Sequence, residues 1–399
     1  MTKLFFTDFR LSLHSLSMIQ PYIGNVDAFP ILSRWQYFNH AGASPWPKRT
    51  IQAVADFAQG WGDDCYMSKN WFDALEPVRG SLAKLINAHE DEIAIMRNTG
   101  DAICAISSGL HWQKGDRIVS CAAEYPTNVY PWNDVCERHG AELITVPERI
   151  DADGVARVSE DDLLDAASHH RTRLIALSHV QWASGQCMDI ERVGRFCRER
   201  GILFALDIIQ SLGVVPVDVK KANVDFAFSG GHKWLMSPPG AGVLYCRREL
   251  IERVNPPAVG ALSVVNPMKW ELNFTRSTTA TRFEVGTHAM ACIAGMKASV
   301  ELLLELGVDN IHAQVKSLGD AFAAGIAKKG YIVATPRDRE VGGAVCLTSP
   351  IHKPDDLVKR MRAEHKTELA ARWGRLRFSP HFYNSMDQVE RLLDVMPSH

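Results

Sequence analysis

Metal-site and disulfide signatures are missing from this sequence. Its nine cysteines form no C-x-x-C pair, and its 15 histidines form no H-E-x-x-H or other paired spacing. An odd, scattered set of cysteines argues against a disulfide framework or a structural zinc site and fits reduced thiols in a cytoplasmic protein. No apolar run reaches the length of a membrane-spanning helix, and Asp8 and Arg10 interrupt the only N-terminal candidate. Positive charge is not in excess: the formal net charge is −2, so no basic field marks the chain for nucleic acid. A G-x-G-x-x-G turn is absent after the first strand pattern, and Gly240-Ala241-Gly242 precedes a strand pattern instead. That argues against a nicotinamide-dependent oxidoreductase. Internal repeats and low-complexity segments are also lacking.

What remains is an ordinary soluble composition, 46% hydrophobic and 23% charged, in a chain of 399 residues. That length exceeds one ordinary core and predicts one large and one smaller domain. Short apolar runs recur at Ile93–Met96, Arg117–Cys121, Leu143–Val146, Leu174–Leu177, Leu203–Leu206, Asp225–Phe228 and Gly242–Cys246. Helical patterns such as Ile51–Trp61 and Glu191–Arg200 alternate with them. Continuous apolar strands alternating with helices predict an α/β fold, a mostly parallel seven-stranded sheet covered on both faces. In such sheets a ligand sits beyond the carboxyl ends of the strands. The remainder predicts a smaller α+β domain: helices at Gly286–Leu306, Pro354–Glu364 and Met386–Met396, strands at Tyr331–Ala334, Gly343–Thr348 and Leu376–Phe378. The expected division is 50–285 for the large domain, with 1–49 and 286–399 forming the small one.

Three places carry chemistry. Ser229-Gly230-Gly231-His232-Lys233-Trp234-Leu235 follows a predicted buried strand. A lysine there loses water, its pKa falls, and it becomes a usable nucleophile toward an aldehyde. A solvated loop lysine is the plainer alternative. Gly201–Asp207 reads as a buried strand ending in a carboxylate, with Gln210 three residues on. Asp207 at the ligand edge suits a protonated ring nitrogen; alone it could equally be a helix N-cap. Arg97-Asn98-Thr99-Gly100-Asp101 leads into a helix expected over Ala102–Leu110, a strand-to-helix turn whose N–H groups suit a phosphate. Asp101 would repel a phosphate, so its side chain is expected to turn away and cap the helix, leaving its N–H free.

Together these segments resemble the class V aminotransferase family of fold-type I pyridoxal 5′-phosphate (PLP) enzymes, which includes cysteine desulfurases, kynureninases and isopenicillin N epimerase-like proteins. The resemblance runs from Tyr37-Phe38-Asn39-His40-Ala41-Gly42 to the C-terminal helix. Its most specific parts are Ala205–Gln210, Ser229–Leu235, Arg282-Phe283-Glu284-Val285-Gly286-Thr287 and Arg377-Phe378-Ser379-Pro380-His381-Phe382-Tyr383-Asn384. It implies that Lys233 carries PLP as a Schiff base, with His232 and Ser229 helping to hold the phosphate on the turn of Thr99, Gly100 and Asp101. It implies that Asp207 partners the pyridine nitrogen and Gln210 the ring hydroxyl. Tyr125 matches the ring laid over the cofactor, where desulfurases use histidine. His179 falls near the ring hydroxyl, as a titrating group or a packed one. Arg377 matches the anchor for a substrate α-carboxylate, although Arg372 and Arg375 lie close by. Thr287 matches a residue reaching the phosphate of a second subunit, which implies a homodimer. Arg282 and Glu284 are expected to pair structurally.

The implied activity is on an amino-acid substrate through an α-carbanion, foremost as an aminotransferase. A C–S or C–C lyase, or an epimerase, shares the same early chemistry, and a non-catalytic scaffold is a further alternative. Desulfurases of this family carry a cysteine on a loop ahead of the anchoring arginine. Here that stretch, His365–Arg375, contains none, so no persulfide-forming activity is expected.

Overall fold

A computed structural model of the chain describes residues 18–67 and 71–399, without the side chains of Trp71 and Phe72. The N-terminal stretch containing Asp8 and Arg10 lies outside the described residues. All seven predicted apolar runs form strands of one sheet: β1 (Ile93–Met96), β2 (Arg117–Cys121), β3 (Glu142–Val146), β4 (Thr172–Ser178), β5 (Leu203–Asp207), β6 (Phe226–Gly230) and β7 (Gly242–Cys246). Their order is β1-β7-β6-β5-β4-β2-β3. Strand β7 runs antiparallel to both neighbours, and the other pairings are parallel.

The central strands are mostly apolar because both of their faces are buried, while the edge strand β3 keeps Glu142 and Thr145 exposed. Ile93 and Ile95 point into one core cluster while Ala94 and Met96 point into the other. Phe204 and Leu206 divide from Ala205 in the same way. Helices cover these faces, among them α2 (Thr99–Ser107) and α3 (Ile190–Arg200); α1 (Lys48–Asp64) packs on α4 (Met290–Leu306), and α5 (Val308–Ala327) runs from the core around Ile93, at Ile311 and Val315, into a separate one at Leu318, Phe322 and Ile326. Asp189 caps α3, and Gly201, with φ +65°, ends it.

A second sheet holds β8 (Ile332–Val333), β9 (Val345–Thr348), β10 (Ala370–Arg372) and β11 (Arg375–Phe378), in the order β8-β9-β11-β10 and antiparallel throughout. Its own core gathers Phe38, Phe322, Met361, Phe378 and Leu392, the last three from β11 and from the helices α6 (Pro354–His365) and α7 (Met386–Val395). The stretch His365–Arg375, expected as a loop, is largely β structure. β10 and β11 are joined by Trp373 and Gly374, both at positive φ (+47° and +70°). That is a two-residue turn of the kind whose twist matches a hairpin. Among the described residues no helix is long and apolar enough to cross a membrane.

Candidate active site

Strands β1, β2, β4, β5 and β6 end at the same edge of the large sheet, and their carboxyl ends deliver one pocket. It is lined by Thr99 and Gly100 after β1, Tyr125 and Thr127 after β2, Trp182 after β4, Asp207, Ile209 and Gln210 at the end of β5, and His232 and Lys233 after β6. Arg372 and Arg377 of the small sheet close the opposite side.

At the centre stands Lys233. Burial pushes its ammonium pKa down, and Arg377 and Arg372 push the same way, against the pull of Asp207. Asp207 is 3% exposed. One carboxylate oxygen accepts the Ile209 N–H at 2.8 Å. Burial drives its pKa up; that hydrogen bond and the Lys233 charge work against the rise. A carboxylate so placed gains from a cationic partner.

At one end of the pocket is the start of α2. Thr99 is its first residue, and the buried Thr99 Oγ1 has no hydrogen-bond partner. Gly100 packs close: a Cβ there would lie 3.2 Å from Thr127 Cγ2. His232 stands beside it, its pKa lowered by burial and by Lys233. A helix N-terminus, an unsatisfied hydroxyl and a close-approach glycine form an anion cradle. The expected role of Asp101 needs correction. Asn98 is the cap, and its Oδ1 accepts the Asp101 N–H at 2.9 Å, so that N–H is taken. The Asp101 carboxylate turns outward to Arg97, at 2.5 Å.

At the other end, Arg377 is 1% exposed and has no acidic partner among the described residues. Its Nη1 donates to the Trp182 carbonyl at 2.8 Å, and its Nε is unpaired. Burial lowers its pKa to about 10. The neighbouring Arg375 is instead consumed by Glu148 at 2.5 Å. Over the pocket, the Tyr125 ring centroid lies 5.6 Å from Lys233 Nζ.

Other expected positions fare differently. Gln210 lines the pocket, with Nε2 on the Ala41 carbonyl and Oε1 on the Trp234 indole N–H; one Nε2 hydrogen remains. Ser229 does not reach the pocket: it is buried in β6 and its hydroxyl donates to the Gly230 carbonyl. Thr287 is exposed and outside the pocket of its own chain. His179 is not brought to the pocket either. Its side chain turns to a separate cleft beside Cys187, with Nε2 3.5 Å from the thiol, and burial lowers its pKa to about 4. Trp182 is the residue of that stretch that lines the site. Arg282 and Glu284 do not pair: Arg282 donates to the Ile251 carbonyl, whereas Glu284 binds Arg79.

Sequence reasoning passed over Glu124. It is buried and accepts from Ser178 N–H, Gln181 and Asn128 at 2.7–3.0 Å, locking the Tyr125 loop to the end of β4. Its only sequence signal is a carboxylate directly before the loop tyrosine.

The aminotransferase class-V family model matches residues 36–392. The chain belongs to this family. It is therefore a PLP-dependent enzyme, and the pocket fits that cofactor: cradle, half-buried lysine and buried carboxylate lie along one sheet edge. Over 92% of its length the class V chain is 29% identical to a probable cysteine desulfurase of Pyrococcus abyssi, 94% of which is covered. It is 26% identical to the uncharacterized aminotransferase YcbU of Bacillus subtilis, covering 92% and 95% of the two chains. Among solved structures, the apo cysteine desulfurase of Thermococcus onnurineus NA1 superposes with a TM-score of 0.83 at 25% identity, covering 93% and 96% of the two chains.

Proposed function

We propose that this class V enzyme is an aminotransferase, moving an amino group between an α-amino acid and an α-keto acid. When bound, PLP supplies an aldehyde for the substrate amine and a ring that takes up the electrons released at Cα. Lys233 would hold the cofactor and, as a free amine, would move the proton at the substrate Cα; its lowered pKa favours the neutral amine that this needs. Thr99, Gly100 and His232 would hold the phosphate, and Asp207 would keep the ring nitrogen protonated. Arg377 fixes the substrate carboxylate through a bidentate fork.

The observation that carries this reading is the shortage of other reactive groups. Of the titratable groups that line the pocket, Lys233 is the amine whose pKa falls toward the neutral form, and transamination needs one such group. Among the described residues no cysteine lines the pocket. Cys346, the cysteine paired across β9 with Arg377, is 0% exposed, and burial raises its pKa to about 11. A buried, protonated thiol is a poor nucleophile. A C–S lyase is the second reading, favoured by the relatives named for cysteine desulfuration.

The test uses PLP-loaded protein with paired amino and keto acids. Transamination gives a new amino acid in equal amount with ping-pong kinetics. Ammonia with pyruvate from cysteine supports the lyase, and a protein-bound persulfide with released alanine restores the desulfurase. Borohydride reduction and peptide mapping should label Lys233; a label on another lysine overturns its assignment. We also propose a homodimer in which Thr287 completes the partner's phosphate cradle. The exposed Trp270, Leu272, Phe274 and Val285 support a covered surface there. A monomer active at assay concentration in sedimentation excludes it.

A further inference from the structure

Arginines of the β10–β11 hairpin face the pocket side with unequal compensation. Arg372 and Arg375 are directly paired across the strands, and Arg377 stands two residues on from Arg375. With a side-chain period of two, Arg375 and Arg377 share a face, and the cross-strand partner Arg372 shares it with them. Arg375 is neutralised by Glu148 and also bonds the Ala183 carbonyl. Arg377 and Arg372 have no carboxylate among the described residues. The one hydrogen bond from the Arg372 side chain goes to the adjacent Ala371 carbonyl, at 2.7 Å. Like charges directly opposite on a sheet are unfavourable, and the charge of Arg372 works against protonation of both Arg377 and Lys233.

Both uncompensated guanidiniums line the same pocket. They differ in depth, Arg377 being buried and Arg372 exposed. Between Lys233 and the hairpin tip runs an aromatic wall. Tyr125 meets Trp182 edge-on at 5.4 Å, and Trp182 meets Trp373 at 5.3 Å. The Trp182 ring is pinned by its N–H to the Ala123 carbonyl at 3.0 Å. A substrate carboxylate on Arg377 therefore has a walled path outward that ends on a second, unmatched cation.

We infer that Arg372 is a specificity residue that receives a carboxylate at the end of the substrate side chain, so that the substrates are dicarboxylic amino acids and their keto acids. This rests on the aminotransferase reading for the α-carboxylate at Arg377. A guanidinium at the mouth rejects nothing by shape; it selects by charge, and an aliphatic side chain leaves it solvated without gain.

The experiment uses the PLP-loaded protein and its Arg372→Ala and Arg372→Lys variants. Aspartate, glutamate and alanine are titrated against the cofactor absorption band. Maleate, an unreactive dicarboxylate, and acetate are titrated by calorimetry. Loss of a charge-assisted contact predicts affinity for aspartate, glutamate and maleate falling about tenfold or more in Arg372→Ala. Alanine and acetate should shift far less, and Arg372→Lys should recover part of the loss. Equal losses for alanine and the dicarboxylates, or no loss for any ligand, overturn the inference. Should no amino acid alter the cofactor band, the aminotransferase reading fails by itself, while the maleate arm still reports on Arg372.

Discussion

Lys233 and Asp207 are ionisable groups taken out of water on neighbouring strands, and burial disfavours the charged form of each. Asp207→Asn keeps shape and removes charge. The variant should fold and bind cofactor yet lose about 100-fold or more in turnover, measured by single-turnover absorbance; near-normal turnover removes the proposed role. Arg375 and Arg377 offer a paired contrast. Arg377→Ala should weaken amino-acid binding about tenfold to a hundredfold, the range of a lost hydrogen-bonded charge, with little effect on melting. Arg375→Ala strands the largely buried Glu148 and should cost about 3–5 kcal/mol in denaturant unfolding. If the two variants exchange these phenotypes, the assignment of the anchor is wrong.

Single contacts also tie elements together. Glu284 lies in the segment before α4 and reaches three places: Arg79 at 2.5 Å, the Ile95 N–H of β1 at 2.8 Å, and His288 at 2.9 Å. Burial raises its carboxyl pKa, but the His288 hydrogen bond and the Arg79 charge outweigh this and hold it below the usual carboxylate value. Its stabilising contribution is therefore present above about pH 4.3, the unfolded value, and is lost as pH falls through the lower folded value. Glu284→Gln leaves the buried Arg79 with only the exposed Glu76 carboxylate, at 3.3 Å, and should cost about 3 kcal/mol, read as a lower denaturant midpoint at pH 7 with an unchanged slope. An unchanged midpoint would show the pair to be energetically idle. Helix α5 shows why an element can be overlooked. Ile311, Val315, Leu318, Phe322 and Ile326 keep the helical period and are all buried. Gly319 and Gly325 interrupt it to the eye, yet Gly325 is there for contact: a Cβ would lie 2.4 Å from Leu393 of α7.

At the scale of the whole molecule, three histidines among the described residues are buried and held neutral. Burial lowers His179 and His381 to about 4, and His40 well below 6.5. The unfolded chain takes up these protons first as pH falls below about 6.5. Stability should therefore decline from that point down toward pH 4, approaching about 1.4 kcal/mol per pH unit for each histidine. Denaturant titrations between pH 7.5 and 5 check this, and a flat profile contradicts it. We propose the division into 50–285 against 1–49 with 286–399 as the working domain boundary. It is supported by the pairing of Gln36-Tyr37 with Thr367-Glu368 and by a separate core around Phe38 and Phe378.

The sequence by itself determined the large sheet, because strands buried on both faces must be mostly apolar, and seven short apolar runs stand out. It also marked Lys233, Asp207 and Thr99, because each sits at the end of one of those runs, where the chain leaves the sheet toward the ligand edge. Side-chain direction was decided only by tertiary structure. Nothing local tells that Arg375 meets Glu148 while Arg377 is left open, since Glu148 lies 227 residues away. The direction of His179 depends on the cleft beside Cys187, and the place of Trp182 depends on the Arg377 guanidinium held by its carbonyl. The hairpin was hidden for a similar reason. Its strands are three and four residues long; β11 shows as the apolar run at Leu376–Phe378, whereas β10 is too short for a period-two pattern and forms because β11 offers it an edge.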